Sequence, residues 1–374
     1  MIYLDYAANT PTDDKVLKSY VLATKKYWAN PNSIHPLGKK AKLKIDKCSE
    51  NIASYFKANR ESVIYTSGSS ESNNLVIKGV ALKNQKYGKK IIISEIEHSS
   101  IIAPCNYLIS KGFDVVFIPL TKEGQVDLEK LKKEINDETI LVSICSVDSE
   151  LGTVQPIQEI VKIVSNYHHC SFHTDATQAI GKVNINYDGV DFITFAPHKF
   201  YGINGVGVLL NRYNKVLVPL IQGGKSTTKY RSGTPVIANV VATDVALNLA
   251  IKNLDKRYKY IEKLNEILKN YFSNISSVHI NSSKYAVPNT LNISVINLDA
   301  HKIVKKLAQR GIYLSTTSAC SLSNMPSRSV YALTKDKNLA RNSIRISLSH
   351  LTTRKEINDF MKIFSLFVPS TKND

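Results

Sequence analysis

Val63-Ile64-Tyr65-Thr66-Ser67-Gly68-Ser69-Ser70-Glu71-Ser72-Asn73 passes from a short branched and aromatic run, through small residues, into a helix start. Branched and aromatic side chains suit the pleated, half-buried backbone of a strand, and a Ser/Gly cluster breaks it. The reading is a strand over 63–66, a tight turn, and a helix over about 70–84. The same alternation continues outward. Short apolar runs at 91–94, 114–118 and 140–147 read as strands, as do 171–174, 192–195 and 206–210. Helical spacing lies between them, for example over 127–135, where Leu128, Leu131 and Ile135 share one face. Strands alternating with helices predict an α/β fold whose mostly parallel sheet is covered on both faces.

After Gly233-Thr234-Pro235 the pattern changes to one long helical stretch over about 236–272. Strands near 290–295 and 343–348 follow, separated by helices around Lys302 and Val330. A chain of 374 residues is longer than a single hydrophobic core comfortably serves. The expectation is a large domain over 12–255, with 1–11 and 256–374 forming a smaller α+β domain.

Hydrophobic residues at 43% and charged residues at 21% are ordinary for a globular enzyme and exclude a wholly disordered chain. No apolar run approaches the ~18 residues of a membrane span, and Met1-Ile2-Tyr3-Leu4-Asp5 lacks the features of a secretion signal. Five scattered cysteines (Cys48, Cys105, Cys145, Cys170, Cys320) read as free thiols in a reducing cytoplasm. The net charge of +18 comes from lysines that outnumber arginines about four to one and are spread along the chain. Direct nucleic-acid binding is therefore not expected, because polyanion sites need the cations clustered.

In open α/β sheets chemistry gathers at the carboxyl ends of the strands. Ser69 and Ser70 open a helix, where backbone N–H groups and the dipole attract phosphate; an ordinary capped helix is the alternative. His98 follows the next strand and could stack on an aromatic ring. Asp175, in Phe172-His173-Thr174-Asp175, could hold a protonated ring nitrogen. The neighbouring His168, His169, Cys170 and His173 lack any zinc spacing, so no metal is expected. Lys199, in Phe195-Ala196-Pro197-His198-Lys199, leaves an apolar strand where an amine could meet an aldehyde. Gly223-Gly224-Lys225-Ser226-Thr227 imitates a phosphate-loop tail, but Pro219 stands where the first glycine is required. Cys320 sits among small polar residues, Ser315-Thr316-Thr317-Ser318-Ala319-Cys320-Ser321, the composition of an exposed loop and of a thiol that could carry sulfur.

Together these segments resemble the cysteine desulfurases, the NifS-like branch of the class V aminotransferases. The resemblance runs from Tyr3-Leu4-Asp5-Tyr6-Ala7-Ala8 to Ser343-Ile344-Arg345-Ile346. It passes through Asn30-Pro31-Asn32-Ser33-Ile34-His35, Thr66-Ser67-Gly68, Glu97-His98, Val154-Gln155-Pro156, Asp175-Ala176-Thr177-Gln178, His198-Lys199, Arg231-Ser232-Gly233-Thr234 and Ser318-Ala319-Cys320. Each motif alone is common; their joint order is specific. The resemblance implies a fold-type I enzyme dependent on pyridoxal 5'-phosphate (PLP), working as a homodimer. Lys199 would carry PLP as a Schiff base, His98 would stack on the ring, Asp175 would pair with the pyridinium nitrogen, and Gln178 would contact the phenolic oxygen. Ser69, Ser70 and His198 would hold the phosphate, with Thr234 reaching in from the partner subunit. Arg345, assisted by Asn32, would bind the carboxylate of L-cysteine. Cys320 would take the sulfur as a persulfide, release alanine, and pass the sulfur to a protein acceptor in iron–sulfur assembly, tRNA thiolation or another dedicated pathway.

Four places depart from the family text: Ala196-Pro197 before His198-Lys199, Asp148-Ser149-Glu150, Lys225-Ser226-Thr227, and His350 in place of an arginine. The chain also stops soon after Phe367, short of a scaffold-binding tail. These differences favour a specialised desulfurase with its own acceptor. An aminotransferase, a selenocysteine lyase and a non-catalytic relative are the alternatives, and the first would have no use for Cys320.

Overall fold

The computed structural model describes residues 1–224, 226–316 and 325–368. Among them are twelve strands, in chain order β1 (Ile2–Tyr3), β2 (Val63–Thr66), β3 (Lys90–Ser94), β4 (Asp114–Ile118), β5 (Thr139–Ser143), β6 (Ser171–Asp175), β7 (Phe192–Phe195), β8 (Gly207–Asn211), β9 (Val278–Ile280), β10 (Thr290–Val295), β11 (Ile312–Tyr313) and β12 (Ser343–Ser347). Seven form the central sheet in the order β2-β8-β7-β6-β5-β3-β4. Only β8 runs against its neighbours, so the sheet is mostly parallel, as the alternating pattern predicts. Continuous apolar runs such as Ile91-Ile92-Ile93 follow from burial on both faces.

One face is covered by the helix Ser69–Asn84, whose Leu75, Val76 and Val80 pack with Ile64, Ile91, Ile93 and Leu209. The other is covered by the helices Pro36–Ser54 and Ile237–Lys252, through Ile45, Ile52, Val240 and Ala246. Because β2, β3, β5, β6 and β7 point the same way, the segments after them meet along one edge. That edge collects residues 67–70, 95–98, 145–149, 175–178 and 196–199.

A second core is built from Ile2 and Leu4 together with Ile261, Leu268, Phe272, Leu291, Ile293, Ile344, Ile346 and Phe360. It backs the antiparallel sheet β12-β10-β9 and the parallel pair β1-β11. The first residues are thus anchored in this core, and the chain then crosses to the central sheet. There Thr10 N–H donates to the His198 carbonyl at 3.1 Å and Asp13 N–H to the Tyr201 carbonyl at 2.9 Å.

The stretch expected as one helix over 236–272 is two, Ile237–Lys252 and Leu254–Ser273, bent by 63°. Asn253 marks the break, its side-chain amide donating to the Leu249 carbonyl at 2.8 Å. The strand expected over 140–147 ends as a regular strand at Ser143, although Ile144 and Ser146 N–H still donate to the His173 and Asp175 carbonyls. No single helix among the described residues is long and apolar enough to cross a membrane.

Candidate active site

The cleft begins at the turn between β2 and its helix. Gly68 caps that helix without any side-chain hydrogen bond, so the first N–H groups, at Ser69 and Ser70, have no side-chain acceptor. Gly207 on β8 lets the turn lie this close to the sheet. A Cβ at 207 would stand 2.3 Å from the Gly68 carbonyl carbon. Glu71 holds the turn from below, accepting from Ser67 N–H at 2.8 Å and pairing with Arg231 at 3.0 Å. The result is a helix dipole and two hydroxyls aimed at one wall of the cleft.

Asp175 closes the cleft from the end of β6. Its Oδ1 accepts from Thr177 N–H at 2.9 Å and its Oδ2 from Asn73 Nδ2 at 2.8 Å. Asn73 is wholly buried, also donates to Ser100 Oγ at 2.9 Å, and accepts from Thr194 Oγ1 at 2.5 Å. Four segments therefore fix one carboxylate. Sequence reading passed over Asn73, because nothing in a helical Asn announces a partner 102 residues away.

His98 caps the helix Ser99–Ile109, its Nδ1 accepting from Ser100 N–H at 3.2 Å. That contact assigns the ring proton to Nε2. Beneath it Glu97 is fully buried, with Oε1 accepting from Ser94 Oγ and Cys145 N–H at 2.5 and 2.9 Å while Oε2 has no partner among the described residues. Burial pushes the Glu97 carboxyl up to about 7, and the unpaired oxygen is where its proton would reside. The carbonyl of Glu97 accepts from Arg328 Nη2.

Lys199 ends a short 3₁₀ turn, Pro197–Lys199. Its Nζ donates to the carbonyls of Ala7 and Ala8 at 3.0 and 2.6 Å, so the crossing N-terminal segment holds the amine in the cleft. The Ala196-Pro197 departure is accommodated rather than disruptive. Gly202 packs on Pro197, where a Cβ at 202 would come within 2.4 Å of the proline Cβ. His198 is held well below its ordinary value, at about 4, by burial and then by Lys199 and Lys182, so it faces the cleft as a neutral donor or acceptor. Gln178 Nε2 donates to Ala7 O at 3.0 Å.

Arg345, 1% exposed on β12, meets Asp5 Oδ1 at 2.9 Å and the Ser149 carbonyl at 3.0 Å. Its Nε is buried without a hydrogen-bond partner among the described residues. Asp148 and Glu150, at the other departure from the family text, are structural: Ser329 Oγ donates to Asp148 at 3.0 Å and Ser327 Oγ to Glu150 at 2.5 Å. They tie the helix Arg328–Thr334 to the turn that presents Ser149.

Ser69, Ser70, His98, Asp175, Gln178, His198, Lys199 and Arg345 thus line one cleft, joined by Cys145 and Ser149, which sequence reading did not place there. Asn32 is exposed ahead of the helix Pro36–Ser54, outside the cleft. Thr234 lines a neighbouring groove with Ser67 and Arg231. Cys320 lies outside the described residues. The other four cysteines are free and buried, in keeping with a structural reading. His169 stacks on Tyr87 at 4.0 Å, whereas His173 is buried against Ser143, so the histidine-rich segment does not converge.

A helix terminus, a buried carboxylate, an imidazole and a primary amine on the walls of one cleft fit a phosphorylated pyridine aldehyde. Each polar feature of such a molecule would find a group of complementary charge or reactivity among these residues.

The chain matches the family model described as aminotransferase class-V over residues 2–360. It is 39% identical over 366 residues to a cysteine desulfurase IscS of Dictyoglomus turgidum, covering 96% of this chain and 92% of that protein. Among solved structures, a NifS-like protein superimposes with a TM-score of 0.91 at 33% identity, covering 98% of both chains. A structure described as SspA in complex with cysteine gives a TM-score of 0.83 at 33% identity, covering 94% of this chain and all of that one.

Proposed function

The chain belongs to the aminotransferase class-V family, in its NifS-like cysteine desulfurase branch, and on that premise we propose that it moves sulfur from L-cysteine onto Cys320 and then to a protein acceptor. Members of the family depend on PLP, and the carrying observation here is the convergence of Lys199, Asp175, His98 and the Ser69-Ser70 helix terminus on one cleft. When bound, PLP supplies a ring that accepts the electron pair left on the substrate's α-carbon.

The chain's own residues do the rest. Lys199 Nζ would hold the cofactor through its aldehyde and is the amine placed to move the proton at the substrate Cα. Asp175, pinned by Asn73 and Thr177, would keep a proton on the ring nitrogen, and His98 would stack on the ring. Ser69, Ser70 and His198 would orient the phosphate, with Thr234 of a second copy completing the site. Arg345, which lines the cleft, would receive the substrate carboxylate. The Cys320 thiolate would attack the substrate sulfur, forming the S–S bond of a persulfide as the Cβ–S bond breaks, and the electron pair left on the carbon side takes a proton so that alanine leaves.

A homodimer is supported by Trp28 and Ile34, large apolar side chains 74% and 89% exposed on this single chain. Buried free thiols support a reducing cytoplasm. The acceptor belongs to iron–sulfur assembly, tRNA thiolation or a dedicated pathway, and the departures at Ser149 and His350 favour the dedicated one.

The test is product analysis with L-cysteine and a reductant. Alanine and sulfide should appear in equal amounts and vanish in Lys199→Ala. Transfer of the amino group to a keto acid without sulfide would replace this reading with that of an aminotransferase. Transfer of labelled sulfur to an iron–sulfur scaffold as readily as to any other candidate would remove the dedicated acceptor.

A further inference from the structure

Behind Gln178 and Lys199 lies a lysine that the reaction described above does not use. Lys182 follows Gly181, whose φ of +74° and close approach to Ala250 and Phe200 turn the chain back under the cleft. A Cβ at 181 would stand 2.9 Å from the Ala250 Cβ, so the turn is closed to larger residues. The Lys182 side chain is buried, and its Nζ donates to Gln178 Oε1. On the amide's other side, Gln178 Nε2 donates to the Ala7 carbonyl, the same oxygen that receives Lys199 Nζ. Lys182, Gln178, Ala7 and Lys199 form one chain of hydrogen bonds ending at the reactive amine.

An amide can present either an acceptor or a donor to a given place, and its neighbours decide which. Lys182 has three donors and no acceptor, so it can hold only the oxygen end of Gln178. The N–H end is then the one left toward Ala7 and the cleft, where a phenolic oxygen would need a donor. A small cavity of about 20 Å³ lies beside Lys182, bounded also by Arg257, Asn289 and His350. That is room for a water molecule rather than a ligand. Asn289 Oδ1 and His350 Nδ1 at its wall have no partner among the described residues.

We propose that Lys182 is a positioning residue for the desulfurase reaction, fixing the flip state of Gln178 so that its N–H end serves the phenolic oxygen of the cofactor. This rests on the PLP reading above. The amine stands among like charges, since Lys199 and Arg345 add to burial in lowering its proton affinity to about 7. Its hold on Gln178 therefore needs only an N–H, which both the charged and the neutral amine provide.

The experiment is a pH titration of the visible absorbance band of the cofactor-loaded protein, in wild type, Lys182→Met, Gln178→Leu and the double variant. A donor to the phenolic oxygen stabilises the more negative form, so its loss raises the midpoint. Lys182→Met should move it up by about one pH unit, a tenfold change in proton affinity. In the Gln178→Leu background the same change should move it by less than about 0.3 unit, because the residue acts through that amide. Lys182→Gln, which keeps a donor, should recover at least half of the shift, and it stands in the cycle should Lys182→Met fail to fold. An unmoved midpoint in Lys182→Met, or an equal shift with and without Gln178, overturns the proposal. A wild-type protein that takes up no PLP removes the cofactor reading first and this inference with it.

Discussion

Replacing Asn73 by alanine should loosen the site and the fold together. Its amide joins three buried partners: Asp175 Oδ2 at 2.8 Å, Ser100 Oγ at 2.9 Å and Thr194 Oγ1 at 2.5 Å. The bond to the carboxylate is charge-assisted, worth about 1.5–3 kcal/mol, and each neutral bond about 1 kcal/mol. Asp175 keeps its bond to Thr177 N–H, and water entering the vacated volume recovers part of the loss. The expected destabilisation is about 2–4 kcal/mol, read as a lower urea midpoint with an unchanged slope. An Asp175 held on one side only should also retain PLP about tenfold less tightly, measured by dialysis and absorbance. Asn73→Asp, which preserves volume but sets a like charge beside Asp175, should weaken cofactor retention more than alanine does. An Asn73→Ala protein within about 0.5 kcal/mol of wild type and holding cofactor equally well would refute the view that Asn73 pins Asp175.

Glu97 gives a pH signature. Its folded value of about 7 lies above the ordinary carboxylate value, so between about pH 4.5 and 7 the folded state keeps a proton that the unfolded state has released. Stability must therefore fall as pH rises through that window, by an amount on the order of 3 kcal/mol, and Glu97→Gln should flatten that slope in urea titrations at a series of pH values. Gly207→Ala should displace the Ser69-Ser70 turn, because its Cβ would meet the Gly68 backbone at 2.3 Å; weaker phosphate retention and a lower unfolding temperature are expected. Arg345→Lys keeps the charge but loses the fork that meets Asp5 and Ser149, so KM for L-cysteine should rise about tenfold or more while PLP content holds.

Much of this architecture is written locally. The strand and helix at 63–84 announce themselves by composition, and the residues at 69, 98, 175 and 199 stand where a parallel sheet delivers its strand ends. The fold brings them to one cleft without revision. What stayed hidden depends on long-range contact. Asn73 looks like any helical polar residue until Asp175 and Thr194 arrive from 102 and 121 residues away. Nothing local in the sequence marks Glu97 as buried, yet Cys145 and Ser94 enclose it. Lys182 is one lysine in a lysine-rich chain, and only the turn at Gly181 drives it inward. The break at Asn253 escaped because hydrophobic spacing persists on both sides of it.

Incubation with L-cysteine followed by intact-mass analysis, before and after a thiol reductant, joins the amine and the thiol in one readout. Wild type should gain the mass of a single sulfur atom that the reductant removes, and neither Cys320→Ser nor Lys199→Ala should gain it. A sulfur adduct that persists in Cys320→Ser, or alanine formed at the wild-type rate without Lys199, would contradict the assignment of sulfur capture to one and of proton transfer to the other.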